Sequence, residues 1–180
     1  MSSFMYRDDN IKILRLRAFL QMIRIGEGTT HENGYGTMFN GVKFTDFSRH
    51  PNVRNEANGI VSTAAGAYQF LYRTWRNFQN KFLFIDFSPH NQDLGCIALI
   101  AGRKALVDVM NGKVSEAIHL CRVEWASLPG SPHGQPTANK EMIMKKYEVY
   151  FSEERPGKST LYATNAEIKK FIETNYSEAL

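Results

Sequence analysis

Glu27 lies in Ile25-Gly26-Glu27-Gly28-Thr29, directly after an amphipathic run and with a glycine on each side. A helix that ends there leaves its last carbonyl groups unpaired and its C-terminus partially negative. A carboxylate in that field is disfavoured, which raises its pKa. The flanking glycines free the backbone and clear space for a ligand. A carboxylic acid that stays protonated towards neutral pH can act as a general acid, the group that glycoside cleavage requires. The same five residues also describe a solvated glutamate at a helix end, so the rest of the chain decides.

Tyr68 and Gln69 stand in Ser62-Thr63-Ala64-Ala65-Gly66-Ala67-Tyr68-Gln69-Phe70. That stretch reads as the opening of a helix running to about Phe82, with Ser62 or Thr63 as its cap. A glutamine amide suits sugar hydroxyls and N-acetyl groups, and a tyrosine offers a stacking face and a hydroxyl. Core packing for Tyr68 and a cap role for Gln69 are the plain alternatives. Tyr35, just past Glu27, can meet a sugar or pack a small β element. Trp125, before a turn, can do the first or fill a helix face, whereas Trp75, spaced with Phe78 and Phe82, reads as core. Glu32 and Asp46 are the nearest further carboxylates in sequence and read as structural, Glu32 in a loop and Asp46 at a turn. The histidines at 31, 50, 90, 119 and 133 form no i,i+4 pair on a helix and accompany no cysteine cluster, so no metal is expected. No GxSxG, phosphate-binding or dinucleotide-binding glycine pattern occurs, and no cofactor is expected.

The elements that must position Glu27 are mostly helical. Ile11, Leu14, Ala18, Met22 and Ile25, widened by Phe19 and Ile23, predict a core-facing helix over 11–25. Thr37-Met38-Phe39 and Val42-Lys43-Phe44 around Asn40-Gly41 predict a hairpin, and 46–59 reads as polar and irregular. Ser88 and Pro89 start a helix as N-cap and N1, which runs to about Ala101. Short helices follow at 104–110 and 114–122, then a turn-rich break at 128–132, a helix over 139–151, a linker over 153–164 carrying Pro156-Gly157, and a last amphipathic helix over 166–179. Its apolar face (Ile168, Phe171, Ile172) is expected to dock on the catalytic body away from the site, or to bind a partner. Cys96 and Cys121 form no CxxC and read as buried free thiols.

The chain is long enough for one domain, possibly with two lobes. A net charge of +4 favours an anionic partner: nucleic acid, an anionic membrane, or the carboxylates of cell-wall peptides. The basic residues are scattered and no basic arm exists, so nucleic acid is not expected. No apolar stretch is long enough to span a bilayer, and stable membrane insertion is not expected. The first ten residues lack the apolar stretch of a secretory signal, which places synthesis and unaided residence in the cytosol.

Six segments together resemble one family: Gly26-Glu27-Gly28-Thr29, Asn33-Gly34-Tyr35, the run from Phe44 to Pro51, the run from Ser62 to Gln69, Asp86-Phe87-Ser88-Pro89 with Gln92-Asp93, and Trp125-Ala126-Ser127-Leu128-Pro129-Gly130. In this order they are similar to the lambda-type phage endolysins, lytic transglycosylases that cut the glycan of peptidoglycan. The resemblance covers roughly residues 10–150. It implies an α+β, mostly α-helical, lysozyme-like two-lobed fold with a small β element beside the substrate cleft. It maps the catalytic acid onto Glu27 and suggests substrate contacts at Tyr35, Ser62, Thr63, Tyr68, Gln69 and Trp125. It implies a monomer acting on peptidoglycan glycan strands, in the periplasm after release through a membrane lesion. The chain departs from the family in a shorter loop from Glu27 to Tyr35 and in Ala67, where a bulky basic residue is usual. The expected division is a catalytic domain over 1–151 and a C-terminal extension over 152–180.

Overall fold

The structure, a computed structural model, describes residues 2–155 and 157–180, with side chains from residue 10 onward. Met1 and Pro156, the proline of the expected Pro-Gly break, lie outside the described residues. The elements are helices α1 (Ser2–Gly26), α2 (Tyr72–Phe82), α3 (Pro89–Gly102), α4 (Leu106–Met110), α5 (Val114–Cys121), α6 (Lys140–Glu154) and α7 (Asn165–Asn175), with a two-stranded sheet of β1 (Asn55–Ala57) and β2 (Ile60–Ser62) between α1 and α2 in the chain. No helix among the described residues is long and apolar enough to cross a membrane.

α1 starts at Ser2 rather than Ile11 and packs against α4 and α6. Its middle is buried all round. Leu14, Ala18, Phe19, Met22 and Ile23 are buried as their spacing predicts, while Ile11 is exposed and Ile25 half-buried. Arg17, Gln21 and Arg24, spaced one helical turn apart on the other face, are equally inaccessible. Their burial is possible only because polar groups from later in the chain meet them.

The β element is not where the sequence puts it. Asn40-Gly41 does adopt the left-handed turn conformation, and Met38 N–H donates to the Val42 carbonyl, but the flanks make only a single bridge between Thr37 and Lys43. The other backbone groups of that segment turn to residues 64–66: Phe39 N–H donates to Ala64 and Gly66 N–H to Thr37. The hairpin forms instead around Asn58-Gly59, with Ala57 opposite Ile60 and Asn55 opposite Ser62. Its strands are polar or exposed on both faces, so no alternation marks them in the sequence.

The helix expected from Ser62 begins only at Tyr72. Residues 63–71 form a tight loop in which Ala65 and Phe70 exchange two backbone hydrogen bonds and Gln69 takes a positive φ of 52°. Thr63 still caps α2, from a distance, because its Oγ1 accepts from Tyr72 N–H. Ser88 and Asn139 cap α3 and α6 by accepting from Asn91 and Met142 N–H. Cys96 and Cys121 are buried free thiols.

Residues 157–164 are irregular but not a loose linker. Arg17 Nε donates to Glu154 at 2.8 Å, Arg17 also bonds the Ala163 carbonyl and Ser159 Oγ, Gln21 donates to Glu154 Oε1, and Thr160 donates to Gln21. This polar seam lies under the segment 159–163. A capping box between Thr164 and Glu167 then starts α7, which buries Ile168, Phe171 and Ile172, with the Phe171 ring 5.1 Å from that of Phe82.

Glu154→Ala leaves the Arg17 guanidinium buried without its counter-charge. Removing one partner of a buried pair costs about 3–5 kcal/mol, so the urea midpoint should fall sharply. A midpoint close to that of the parent protein would mean that the seam contributes little.

Candidate active site

α1 stops in a way that fixes Glu27. Thr29 N–H donates to the Arg24 carbonyl and Gly28 N–H to that of Ile25, while Gly28 sits in the left-handed region at φ 68°. This paired pattern makes Glu27 the C-cap of the helix and Gly28 the residue after it, where glycine carries no steric cost. The chain then turns inward. Thr29 is fully buried, its hydroxyl donates to the Ala67 carbonyl, and its own carbonyl accepts two donors from the Arg24 guanidinium. The acid therefore stands between a helix and a pinned loop.

The Glu27 side chain is half-buried, and Ser127 Oγ donates to its Oε1 at 2.6 Å. Burial raises the pKa of Glu27, and the Ser127 hydrogen bond partly opposes that shift. The direction agrees with the expectation from the helix terminus, but the leading cause is loss of solvent rather than the helix field. Gly26 makes the approach possible: a Cβ there would lie 2.5 Å from Ser127 Oγ. Its role is thus room for the acid's partner, a more specific one than the general freedom expected of the flanking glycines.

The candidate substrate contacts divide into two groups. Tyr35 and Tyr68 are buried, and both hydroxyls donate to Asp93 Oδ1, at 2.6 and 2.7 Å. Asp93 Oδ2 accepts from the backbone N–H groups of Tyr162 and Ala163, at 2.8 and 2.9 Å. Burial pushes the Asp93 pKa up, and the four donors pull it back towards the carboxylate. Neighbouring Gln92 ties together Ala67 N–H, the Tyr35 carbonyl and the Phe87 carbonyl. Trp125 is also buried, with its indole N–H donating to the Tyr68 carbonyl. These three aromatic side chains are placed as supports, with their polar atoms already engaged. Ser62, Thr63 and Gln69 remain partly accessible, although the Gln69 amide already donates to the Thr37 and Gly66 carbonyls and Ser62 Oγ accepts from Ala64 N–H.

Sequence reasoning missed the partners. Ser127 lies in a recognised segment, but nothing in its type or spacing announces a bond to a residue 100 positions away. Arg24 lies outside the apolar stripe of α1, and no local pattern marks it for burial. The segment before the last helix, expected to be a linker, supplies two N–H groups to Asp93 and sets the Tyr162 ring 5.0 Å from that of Tyr35.

A group whose folded pKa is raised binds its proton more tightly in the native state, so its stabilising effect is present at low pH and is lost as pH rises through the folded value. Glu27→Gln removes the penalty on the buried carboxylate. The variant should melt higher than the parent near neutral pH, with the gap closing as pH falls into the usual carboxylate range. Thermal unfolding across pH checks this, and a gap that is independent of pH would contradict the raised pKa.

The Endolysin family model matches residues 17–152. The chain is 37% identical over 145 residues to the endolysin of Escherichia phage P2, covering 72% of this chain and 88% of that protein. It is 36% identical over 139 residues to the endolysin of Escherichia phage lambda, covering 73% and 88%. Among solved structures, bacteriophage lambda lysozyme complexed with a chitohexasaccharide superposes with a TM-score of 0.73 at 34% identity, over 76% of this chain and 94% of that one. A second structure of lysozyme from bacteriophage lambda gives 0.64 at 31% identity, over 83% and 97%. The fold is accordingly the expected α+β, mostly helical, lysozyme-like one. A pinned acid at the end of α1, this fold, and a family match across most of the chain lead to one conclusion: the chain belongs to the endolysin family, enzymes that degrade the peptidoglycan of the bacterial cell wall.

Proposed function

We propose that this endolysin is a lytic transglycosylase with Glu27 as its only catalytic carboxyl group. It cleaves the β-1,4 bond between N-acetylmuramic acid and N-acetylglucosamine and leaves a 1,6-anhydromuramoyl end. The observation that carries the reading is a single half-buried acid of raised pKa, held by a neutral hydroxyl rather than by a cation or a second carboxylate. Protonated Glu27 gives its proton to the departing glycosidic oxygen. As carboxylate it then takes a proton from the C6 hydroxyl of the same muramoyl sugar, which attacks C1 and closes the anhydro ring. An intramolecular nucleophile has a high effective concentration, so neither a protein nucleophile nor an activated water is needed.

The other carboxylates support this assignment by their environments. Asp46 is exposed, and hydrogen bonds from its own turn at Ser48 lower its pKa, which suits a loop brace. Glu32 is exposed in the loop beyond the acid. Asp93 has both oxygens occupied by donors. A hydrolysing muramidase on the same scaffold needs a second carboxylate at a fixed separation from the acid, and it is the alternative that product analysis separates. A glycan-binding protein without activity is the other alternative.

Glycan strands are the proposed partner, with Ser62, Thr63 and Gln69 nearest to direct contact and Tyr35, Tyr68 and Trp125 acting behind them. We take residues 1–151 as the catalytic domain and 152–180 as an extension built onto it. The enzyme is proposed to act as a monomer, made in the host cytoplasm and released to the periplasm through a membrane lesion.

Glu27→Gln should lower murein cleavage by about 10²–10⁴-fold, the usual contribution of a general acid, with the fold retained. Mass spectrometry of products from the parent enzyme should show anhydromuramoyl ends. Reducing ends carrying solvent oxygen would replace the transglycosylase with the muramidase, and near-parental activity of the variant would remove Glu27 from the mechanism.

A further inference from the structure

Arg24 is 2% exposed, and none of the ion pairs among the described residues includes it. A guanidinium keeps its charge inside a protein, and buried charges are ordinarily paired. The groups that hold Arg24 are neutral: the Thr29 carbonyl, Thr160 Oγ1, and the face of the Tyr35 ring, 4.6 Å from Cζ. They orient the charge without cancelling it.

Arg24 is among the residues that line a cavity of about 440 Å³, between the loop that follows Glu27 and the extension. His31 and Glu32 line the loop side, Thr160 and Tyr162 the extension side, and Tyr35 the wall between. Glu32, Tyr35 and Tyr162 also line a second cavity of about 400 Å³, which Lys43 borders. Lys43 Nζ lies 3.4 Å from His31 Nε2. Across the two neighbouring cavities, Arg24 and Lys43, with His31 between them, are set against one exposed carboxylate, Glu32.

We propose that this cavity is a subsite for a carboxylate of the peptidoglycan stem peptide, built jointly by the loop after the acid and the C-terminal extension. The inference rests on the substrate class proposed above. The sugars of the glycan carry hydroxyls and amides, whereas the peptide stems carry free carboxylates, the groups that a buried positive charge attracts most strongly. The volume suits a short peptide segment. The placement suits a stem on a sugar near the cleaved bond, since three residues of chain keep Thr30 within about 11 Å of Glu27. Tyr162 is preorganised, its N–H held by buried Asp93.

The test uses the full chain carrying Glu27→Gln, so that ligand is not consumed. Calorimetry compares a murein disaccharide-peptide fragment bearing free carboxylates with the same fragment after amidation. The free form should bind about ten-fold tighter or better, as one charge-assisted hydrogen bond contributes, and the ratio should shrink with added salt. Adding Arg24→Gln should collapse the ratio, and His31→Ala should reduce it. Equal affinity for the two fragments, binding of neither, or a ratio that survives Arg24→Gln each overturns the subsite. The first comparison needs no change at Arg24, so it stands even if that variant does not fold. Murein cleavage by the parent enzyme reports separately on the proposed reaction: cleavage without discrimination removes the subsite alone, and discrimination without cleavage removes the reaction alone.

Discussion

The Asp93 carboxylate is the constraint on which the arrangement around Glu27 depends. It is wholly buried and meets four donors from three separate parts of the chain: the Tyr35 loop, the Tyr68 loop and the extension. A buried carboxylate with an open lone pair is costly, so each segment is held in place by the need of the others. Gln92, one residue earlier on α3, does the same with neutral groups and reaches Ala67, whose carbonyl receives the Thr29 hydroxyl. A continuous chain of hydrogen bonds therefore runs from the first turn of α3 to the loop that leaves the acid.

α1 carries two incompatible demands and meets both through its end. As a core helix it must be buried, and as the bearer of the proposed acid it must leave a carboxyl group within reach of solvent. Termination at Gly26-Glu27-Gly28 places the change from core to site within a single turn. The half-burial that results destabilises the ionised carboxylate and holds the proton more tightly, so a stability cost and the property that the proposed general acid needs share one cause.

The extension beyond the family match is part of the same network. It covers Arg17, Gln21 and Arg24, supplies donors to Asp93, and places an exposed tyrosine beside Tyr35. Without it, the polar face of α1 would border solvent, as its residue types suggest. With it, that face becomes an interior seam, and its last charge opens onto a cavity.

Much of the frame was legible in the sequence because local rules govern it. The apolar spacing of α1, the Ser88-Pro89 start of α3, the turn-rich break after Leu128 and the glycine-flanked acid all follow from capping, backbone freedom and burial of a helix stripe. The hairpin was misplaced because Asn-Gly specifies a turn but not whether its flanks find partners. Residues 37–44 spend their backbone groups on 64–66, whereas polar 55–62 pairs with itself. The loop at 63–71 read as helix because small residues and a cap residue fit both states, and only tertiary pairing of Ala65 with Phe70 selects one. Residue types alone could nominate Glu27, Tyr35, Tyr68, Gln69 and Trp125 for chemistry. Which of them stay accessible and which face Asp93 or a backbone carbonyl was decided by contacts such as Tyr68–Asp93, Tyr35–Asp93 and Glu27–Ser127, 25, 58 and 100 positions apart, for which no local pattern exists.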